Sequence, residues 1–121
     1  LKYAEDLVKG LDLYFNTVRL AAKDVAAAIA KTIDLEVWIP SMNTYKEVSS
    51  ISNALDYQAR RGNIKYKDSK SDKNEYVHTL NASGLATSRL IPAIVEQNQQ
   101  ADGSIKVPKA LRKFVGKKVI K

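Results

Sequence analysis

The stretch that decides the fold is residues 33–52, which read IDLEVWIPSMNTYKEVSSIS. Within residues 33–39, apolar side chains alternate with Asp34, Glu36 and Trp38. An alternation with a period of two predicts a strand that has one polar or functional face. Pro40 ends this strand, because proline has no N–H to offer a sheet ladder.

Residues 44–52 predict a second strand, which is rich in polar residues. A strict alternation places the odd-numbered positions 45–51 on one face, Glu47 and Ser49 among them. Ser50 then points the other way unless the strand bends. The sequence therefore predicts two neighbouring strands, each with polar groups on one of its faces.

The remaining sequence predicts both helices and strands. Apolar spacing and boundary residues indicate helices at 1–11, from the cap Asn53 to about Arg61, and at 84–97. Composition indicates strands at 13–21, 64–67 and 75–80. Residues 25–30 predict a short helix or a tightly packed loop. Residues 68–74 predict a flexible loop, and residues 101–104 predict a turn before a basic tail.

The whole chain has room for one modest domain. It contains 121 residues, of which 45% are hydrophobic and 27% charged. Connections are short and no strand–helix–strand unit repeats, which favours an α+β fold with a mainly antiparallel sheet flanked by helices. No apolar run approaches the roughly 20 residues that span a bilayer. We therefore expect no membrane as a partner.

Cysteine and histidine usage excludes several kinds of site. The chain has no cysteine, which excludes disulfides and thiolate metal sites. Its one histidine, His78, makes a multi-histidine zinc site untenable. A strand histidine bonded to a neighbour is the simpler interpretation of His78.

The net charge is +7, and the basic residues cluster in two places. One cluster lies in the middle of the chain and one in the tail: Lys65, Lys67, Lys70 and Lys73, then Lys109, Arg112, Lys113, Lys117, Lys118 and Lys121. Such clusters favour a polyanion through counterion release. A lysine-rich surface that maintains solubility is the alternative, and charge alone leaves both open.

Two polar constellations are candidate sites. In residues 43–53, the carboxylate of Glu47 and the serine hydroxyls that follow it are oxygen donors of the kind that hold Mg²⁺ beside a substrate phosphate. A structural edge strand is the alternative there. In residues 80–89, a strand runs through Gly84 into a helix that carries Arg89, an arrangement that suits a nucleotide phosphate. A surface arginine after an ordinary turn is the alternative.

The order of several segments resembles seryl-tRNA synthetases. The matching segments run from about Ile33 to Phe114: residues 34–40 after Lys31-Thr32, 43–50 with Ser52-Asn53, 56–61, 78–81, 84–86 with Arg89, 96–103 and 107–108. The segments around Gly84 and Arg89 are similar to motif 3 of class II synthetases in its seryl form. The chain thus resembles the C-terminal portion of that catalytic domain.

The resemblance implies a two-step ligase that uses ATP, Mg²⁺, serine and tRNA(Ser). Glu47 and Arg89 would be catalytic, with Glu47 and Ser50 holding Mg²⁺ and Arg89 binding the γ-phosphate. Val48 and Ser49 would complete the ATP-binding set. The serine-binding residues implied are Asn81 and Ser83.

The same resemblance implies what the chain lacks. Motifs 1 and 2 and the N-terminal tRNA-binding coiled coil lie upstream in this family. We therefore expect residues 1–121 alone to be inactive and the parent to be a homodimer through an upstream segment. The expected compartment is the cytosol, with the mitochondrion as an alternative.

One segment departs from the family pattern. Lys23, Ala26 and Ala28 stand where the family has glycine, so we expect the loop up to Ala30 to have a different or stiffer backbone. Two alternatives to an active ligase stay open. They are a catalytically inactive synthetase paralogue, which this loop would permit, and a basic RNA-binding module that makes no use of ATP.

Overall fold

A computed structural model describes all residues 1–121 as helices packed against an antiparallel sheet. The helices are α1 (Lys2–Gly10), α2 (Tyr57–Gly62), α3 (Thr87–Asn98) and α4 (Arg112–Val115). The strands are β1 (Phe15–Arg19), β2 (Lys31–Ile39), β3 (Thr44–Leu55), β4 (Lys65–Lys67), β5 (Asn74–Tyr76), β6 (Thr79–Asn81), β7 (Ile105–Lys106) and β8 (Val119–Ile120). Single 3₁₀ turns lie at Ala22–Asp24, Pro40–Met42 and Lys109–Leu111.

The main sheet has four strands in the order β1-β2-β3-β6, and every neighbouring pair is antiparallel. The β2–β3 pair is the longest, running from Lys31 opposite Asn53 to Ile39 opposite Thr44. Two further pairs, β4–β5 and β7–β8, stand apart from this sheet. The predicted α+β fold with a mainly antiparallel sheet is confirmed.

The hydrophobic core lies on one face of the sheet, between the sheet and the helices α1 and α3. From the sheet it takes Leu35, Val37 and Val48, all fully buried. From the helices it takes Val8 of α1 and Leu90 of α3, among others. Burying a side chain of this size contributes about 1.5–3 kcal/mol, so this face holds the sheet and the two helices together.

A β-bulge at Val48 overturns the strict alternation predicted for β3. Leu35 pairs with Ser49 and Glu36 pairs with Glu47, so Val48 is the extra residue. A bulge switches the face that later residues occupy. Ser49 therefore lies on the core face, where it is 1% exposed, while Glu47 lies on the opposite face. The prediction that these two residues share a face was wrong.

Three predicted boundaries also differ from the structure. Asn53 does not cap α2, because β3 runs on to Leu55 and the Asn53 Oδ1 accepts a hydrogen bond from the Leu55 N–H at 2.8 Å. The predicted strand 75–80 is two strands, since β5 pairs with β4 whereas β6 pairs with β3. Helix α3 begins at Thr87 rather than at Gly84.

The glycine-poor loop between β1 and β2 has no helix beyond the turn Ala22–Asp24. None of its residues has a positive φ, so its alanines and lysine carry no left-handed strain. Its end is fixed by the Ala30 N–H, which donates to the Asn53 carbonyl at 2.9 Å. The backbone of this loop therefore needs no glycine, and it is not the more helical backbone that the missing glycines would permit. No helix of the chain is both long and apolar enough to cross a membrane.

Candidate functional site

The sheet face that points away from the core carries a continuous set of polar side chains. Cross-strand partners lie on the same face of a sheet, which groups Asp34 with Ser50 and Glu36 with Glu47. The register extends this face by one strand on each side: Asn16 of β1 lies opposite Glu36, and Asn81 of β6 lies opposite Ser52. We call this surface the polar face.

Arg89 and Glu47 meet on this surface. One nitrogen of the arginine, Nη1, lies 3.3 Å from the Glu47 Oε2 and donates to the Glu47 backbone carbonyl at 2.9 Å. The side chains are 51% and 40% exposed, so the ion pair itself contributes at most about 1 kcal/mol to stability. The structure thus brings the two predicted catalytic residues together, and neither Nε nor Nη2 of Arg89 has a hydrogen-bond partner in the chain.

Ser50 is held from behind by a buried carboxylate. Its Oγ donates a hydrogen bond of 2.7 Å to the Oδ1 of Asp34, a residue only 7% exposed. One pair further along, the hydroxyls of Thr32 and Ser52 are 2.9 Å apart. Sequence reasoning did not propose Asp34 as a site residue. The signal was available, since Asp34 belongs to the alternating polar positions of residues 33–39.

Two hydrogen bonds tie the segment before α3 to the bulge of β3. Ser49 Oγ donates to the Ser83 carbonyl at 2.8 Å, and the Ala86 N–H donates to the Val48 carbonyl at 2.6 Å. The side chains of Val48 and Ser49 are buried. These two predicted ATP-binding residues therefore do not present their side chains to a ligand. The Val48 carbonyl and the Ser49 hydroxyl hold the Ser83–Ala86 segment in place.

The predicted serine-binding residues are Ser83, which begins that segment, and Asn81, which lies two residues before it. Asn81 belongs to β6, opposite Ser52, and both it and Ser83 are exposed. No hydrogen bond in the structure uses either side chain, so both are available to a ligand. A Cβ added at Gly84 would meet nothing within 4 Å, so no contact within the chain requires glycine there.

Comparison with known families identifies this arrangement. The model of the class II tRNA synthetase core domain (G, H, P, S and T) matches residues 1–98. The chain belongs to the class II tRNA synthetase core family. The Glu47–Arg89 pair and the polar face thus lie in the core domain of this synthetase class.

Individual relatives within the synthetase family are serine–tRNA ligases. The chain is 66% identical over 114 residues to serine–tRNA ligase 2 of Clostridium acetobutylicum, which covers 94% of the chain and 27% of that protein. It is 58% identical over 120 residues to the serine–tRNA ligase of Mycoplasmoides gallisepticum, covering 99% of the chain and 29% of that protein. The chain spans a little over a quarter of the length of these relatives. The resemblance to seryl-tRNA synthetases is confirmed.

Solved synthetase structures agree with this placement. The seryl-tRNA synthetase of Pyrococcus horikoshii, complexed with ATP, matches with a TM-score of 0.92 and 42% identity over 98% of the chain and 27% of its own. The cytoplasmic serine–tRNA ligase of Naegleria fowleri, in complex with AMP, matches with a TM-score of 0.87 and 37% identity, covering 98% of this chain and 28% of that one.

The polar face of this synthetase core offers donors that suit Mg²⁺. Glu47, Ser50 and Asp34 supply only oxygen atoms, which this ion prefers. The chain has no cluster of three or more acidic or histidine side chains that would form a complete cage. A set this small fits an ion that takes its other ligands from water and substrate phosphates, as Mg²⁺ does in nucleotide sites.

A larger cleft of the synthetase core than the one beside Arg89 lies away from these residues. A cleft of about 510 Å³ lies between the Asp12–Tyr14 turn and the end of α3. A smaller one of about 320 Å³ borders Arg89, and Lys46, Ser88 and Pro92 line it too. We assign the site to the polar face, because the convergence of charged and hydrogen-bonding groups decides chemistry and cleft volume does not.

Proposed function

We propose that the protein containing this chain is a serine–tRNA ligase, with the polar face as part of its adenylate-forming site. The observation that carries this proposal is the meeting of Arg89 with Glu47, beside Ser50, on an exposed sheet face of a class II synthetase core. The relative from Pyrococcus horikoshii was solved with ATP, which supports ATP as the nucleotide.

The proposed reaction has two steps. In the first, a carboxylate oxygen of serine bonds to the α-phosphorus of ATP, while the bond from that phosphorus to the bridging oxygen breaks and pyrophosphate leaves. In the second, a ribose hydroxyl of the terminal nucleotide of tRNA(Ser) attacks the acyl carbon, losing its proton, and AMP leaves. Both steps develop negative charge on phosphate oxygens, which fixed donors stabilise.

Arg89 is arranged to bind a phosphate without leaving Glu47. Both of its contacts to Glu47 use Nη1. A guanidinium has five N–H donors, so Nε and Nη2 keep three of them for the terminal phosphate of ATP. Anchoring one nitrogen lowers the entropy lost when the others bind, since the fork is already oriented.

Glu47 and Ser50 are the proposed Mg²⁺ ligands. A Mg²⁺ held by these two residues would offset the negative charge of the ATP phosphates. Asp34 accepts the hydrogen bond of the Ser50 hydroxyl, which leaves the oxygen lone pairs of Ser50 available to a cation. Asn81 and Ser83 are proposed to bind serine through hydrogen bonds. A site that pairs a substrate hydroxyl in this way rejects alanine, because its polar groups would stay unpaired.

Serine-dependent exchange of pyrophosphate into ATP tests the proposal. The protein that contains this chain should catalyse the exchange, and Arg89→Ala should abolish most of it. Arg19→Ala is the matched control, since Arg19 is an exposed arginine whose register partner Ile33 lies on the core-facing row of β2. Equal rates for the two variants would remove Arg89 from the proposed site.

The remaining parts of the proposal concern the whole protein. We propose tRNA(Ser) as the acceptor, a homodimer as the assembly and the cytosol as the compartment, with the mitochondrion as the alternative. Residues 1–121 expressed alone should show no exchange, because motif 2 is proposed to supply a second arginine. An intact protein without serine-dependent exchange would favour the inactive paralogue, and salt-sensitive RNA binding without ATP use would favour the RNA-binding module.

A further inference from the structure

The entire net charge of the chain resides in its last 18 residues. Residues 104–121 contain seven basic side chains and no acidic one: Lys106, Lys109, Arg112, Lys113, Lys117, Lys118 and Lys121. The remaining thirteen basic and thirteen acidic side chains of residues 1–103 cancel each other. We call residues 104–121 the basic end.

The basic end is folded. Strands β7 and β8 pair through Ile105–Ile120 and Lys106–Val119. The Nε of Arg112 donates to the Val107 carbonyl at 3.0 Å, and the Val107 N–H donates to the Lys118 carbonyl at 2.9 Å. These bonds fix the backbone that carries the lysines, so their charges are held in one small region of the surface.

No acidic side chain forms an ion pair with the basic end. The four ion pairs of the chain involve Lys9, Arg60, Lys67 and Arg89, none of them in the basic end. All six lysines of the basic end are exposed. The positive charges of such a region repel one another. A polyanion that binds there relieves this repulsion, and the polyanion's own counterions are released into solution.

The other lysine cluster of the chain is different. In the β4–β5 hairpin, Lys67 pairs with Asp72 at 2.7 Å, and Asp68 and Glu75 lie on the same hairpin. Its four lysines are thus largely balanced by three carboxylates. The hairpin resembles an ordinary solvated surface, whereas the basic end does not.

Two features of the basic end suit a nucleic acid. Lys106, Lys109 and Arg112 line a cleft of about 330 Å³ together with Lys9 of α1, with Asp12 as the one acidic residue there. Phe114 is 75% exposed, and the Lys113 Nζ lies 4.7 Å from its ring centroid. Cations contact phosphates and an exposed aromatic ring can stack on a base.

We propose that the basic end binds the phosphate backbone of an RNA, which under the proposed function is tRNA(Ser). Nucleic acid fits better than an anionic membrane, because α4 has four residues and cannot form an amphipathic interfacial helix. This inference rests on the proposed function only for the identity of the RNA.

The test compares two variants of the full-length protein that lose the same charge. One changes Lys109, Lys113, Lys117 and Lys118 to Gln, and the other changes Lys65, Lys67, Lys70 and Lys73 to Gln. The readout is the Kd for a tRNA(Ser) transcript, measured by fluorescence anisotropy at several salt concentrations. The basic-end variant should bind at least tenfold more weakly, and its slope of log K against log salt should fall by about 2–4.

Other outcomes decide against the proposal. Equal losses in the two variants would mean that only overall charge matters, and unchanged affinity in the basic-end variant would exclude RNA contact there. Loss of binding to phosphatidylglycerol vesicles without loss of tRNA binding would assign the surface to membranes. The same four lysines changed to Arg should restore tRNA binding, which separates charge from misfolding. Serine-dependent exchange needs no tRNA and should be unchanged, so its absence in the wild-type protein would count against the proposed function alone.

Discussion

The Nη1 of Arg89 lies 3.3 Å from the Glu47 carboxylate and 2.9 Å from the Glu47 carbonyl oxygen. The contact to the carbonyl depends on the path of β3 at its bulge, since Glu47 directly precedes Val48. On the next two residues of β3, the Val48 carbonyl and the Ser49 hydroxyl hold the segment that leads into α3. The bulge therefore positions the helix that carries Arg89 relative to the strand that carries Glu47.

Ser49→Ala should weaken both stability and serine binding. The change leaves the Ser83 carbonyl without its donor in a part-buried place, which costs about 1–3 kcal/mol. Urea unfolding should show this loss, and the KM for serine should rise because Ser83 is less firmly held. Thr44→Ala, which removes a β3 hydroxyl at the end of the strand away from Asn81, is the control and should leave the KM for serine at the wild-type value. Unchanged stability in Ser49→Ala would show that this hydrogen bond does not hold the segment.

Asp34→Ala should raise the KM for Mg²⁺·ATP by roughly tenfold, because a hydrogen bond to a charged group contributes about 1.5–3 kcal/mol. Without it the Ser50 hydroxyl is free to rotate. Asp34→Asn retains an acceptor oxygen for Ser50 and should lie nearer the wild type. Mn²⁺ binding followed by electron paramagnetic resonance gives a second readout. If Asn is as damaging as Ala, the negative charge of Asp34 itself is what the site uses.

Glu96→Ala should destabilise the fold without changing the chemistry. The Glu96 carboxylate accepts hydrogen bonds from the N–H and Oγ of Ser41, at 2.8 and 2.9 Å, and so ties α3 to the turn after β2. Charge-assisted bonds of this kind contribute about 1.5–3 kcal/mol. Ser41→Ala removes one of the two bonds and should cost less. Thermal unfolding measures both, and a larger loss for Ser41→Ala would contradict this interpretation.

Ser104→Ala should raise the pKa of Asp102. The Ser104 hydroxyl, at 2.6 Å, and its N–H, at 3.0 Å, donate to the Asp102 carboxylate and hold the pKa of that group below its ordinary value. A lowered pKa means that the stability gained is present above the unfolded pKa and is lost as pH falls through the folded pKa. Carbon-13 NMR titration of Asp102 gives the value directly. An Asp102 pKa that stays low in the variant would assign the shift to the backbone.

The sequence predicted the fold class and the central strands, because β2 and β3 are long and β2 alternates strictly. It did not predict the bulge, since no glycine or proline marks Val48 and the bulge depends on how two strands meet. Because the bulge breaks the alternation of β3, the sequence also did not predict that Ser49 is buried. Strands β5 and β6 were merged because the residues between them, Val77 and His78, carry no turn signal.

The candidate site, like the fold, was predicted from the sequence only in part. Glu47, Ser50 and Arg89 were predicted from the family resemblance, and the structure places Glu47 and Arg89 in contact. Asp34 was missed because a carboxylate on a polar strand face has no special signature until its partner across the sheet is known. The charge cluster in residues 65–73 was visible in the sequence, but its neutralisation by Asp72 needed the hairpin geometry.

Serine-dependent pyrophosphate exchange in the full-length protein, compared between wild type, Arg89→Ala and Arg19→Ala, is the most direct test of the central claim. The proposed function predicts exchange in the wild type and in Arg19→Ala. In Arg89→Ala it predicts a loss of about 100-fold or more, the size expected for one donor to a transition-state phosphate charge. Exchange at the wild-type rate in Arg89→Ala would contradict the account.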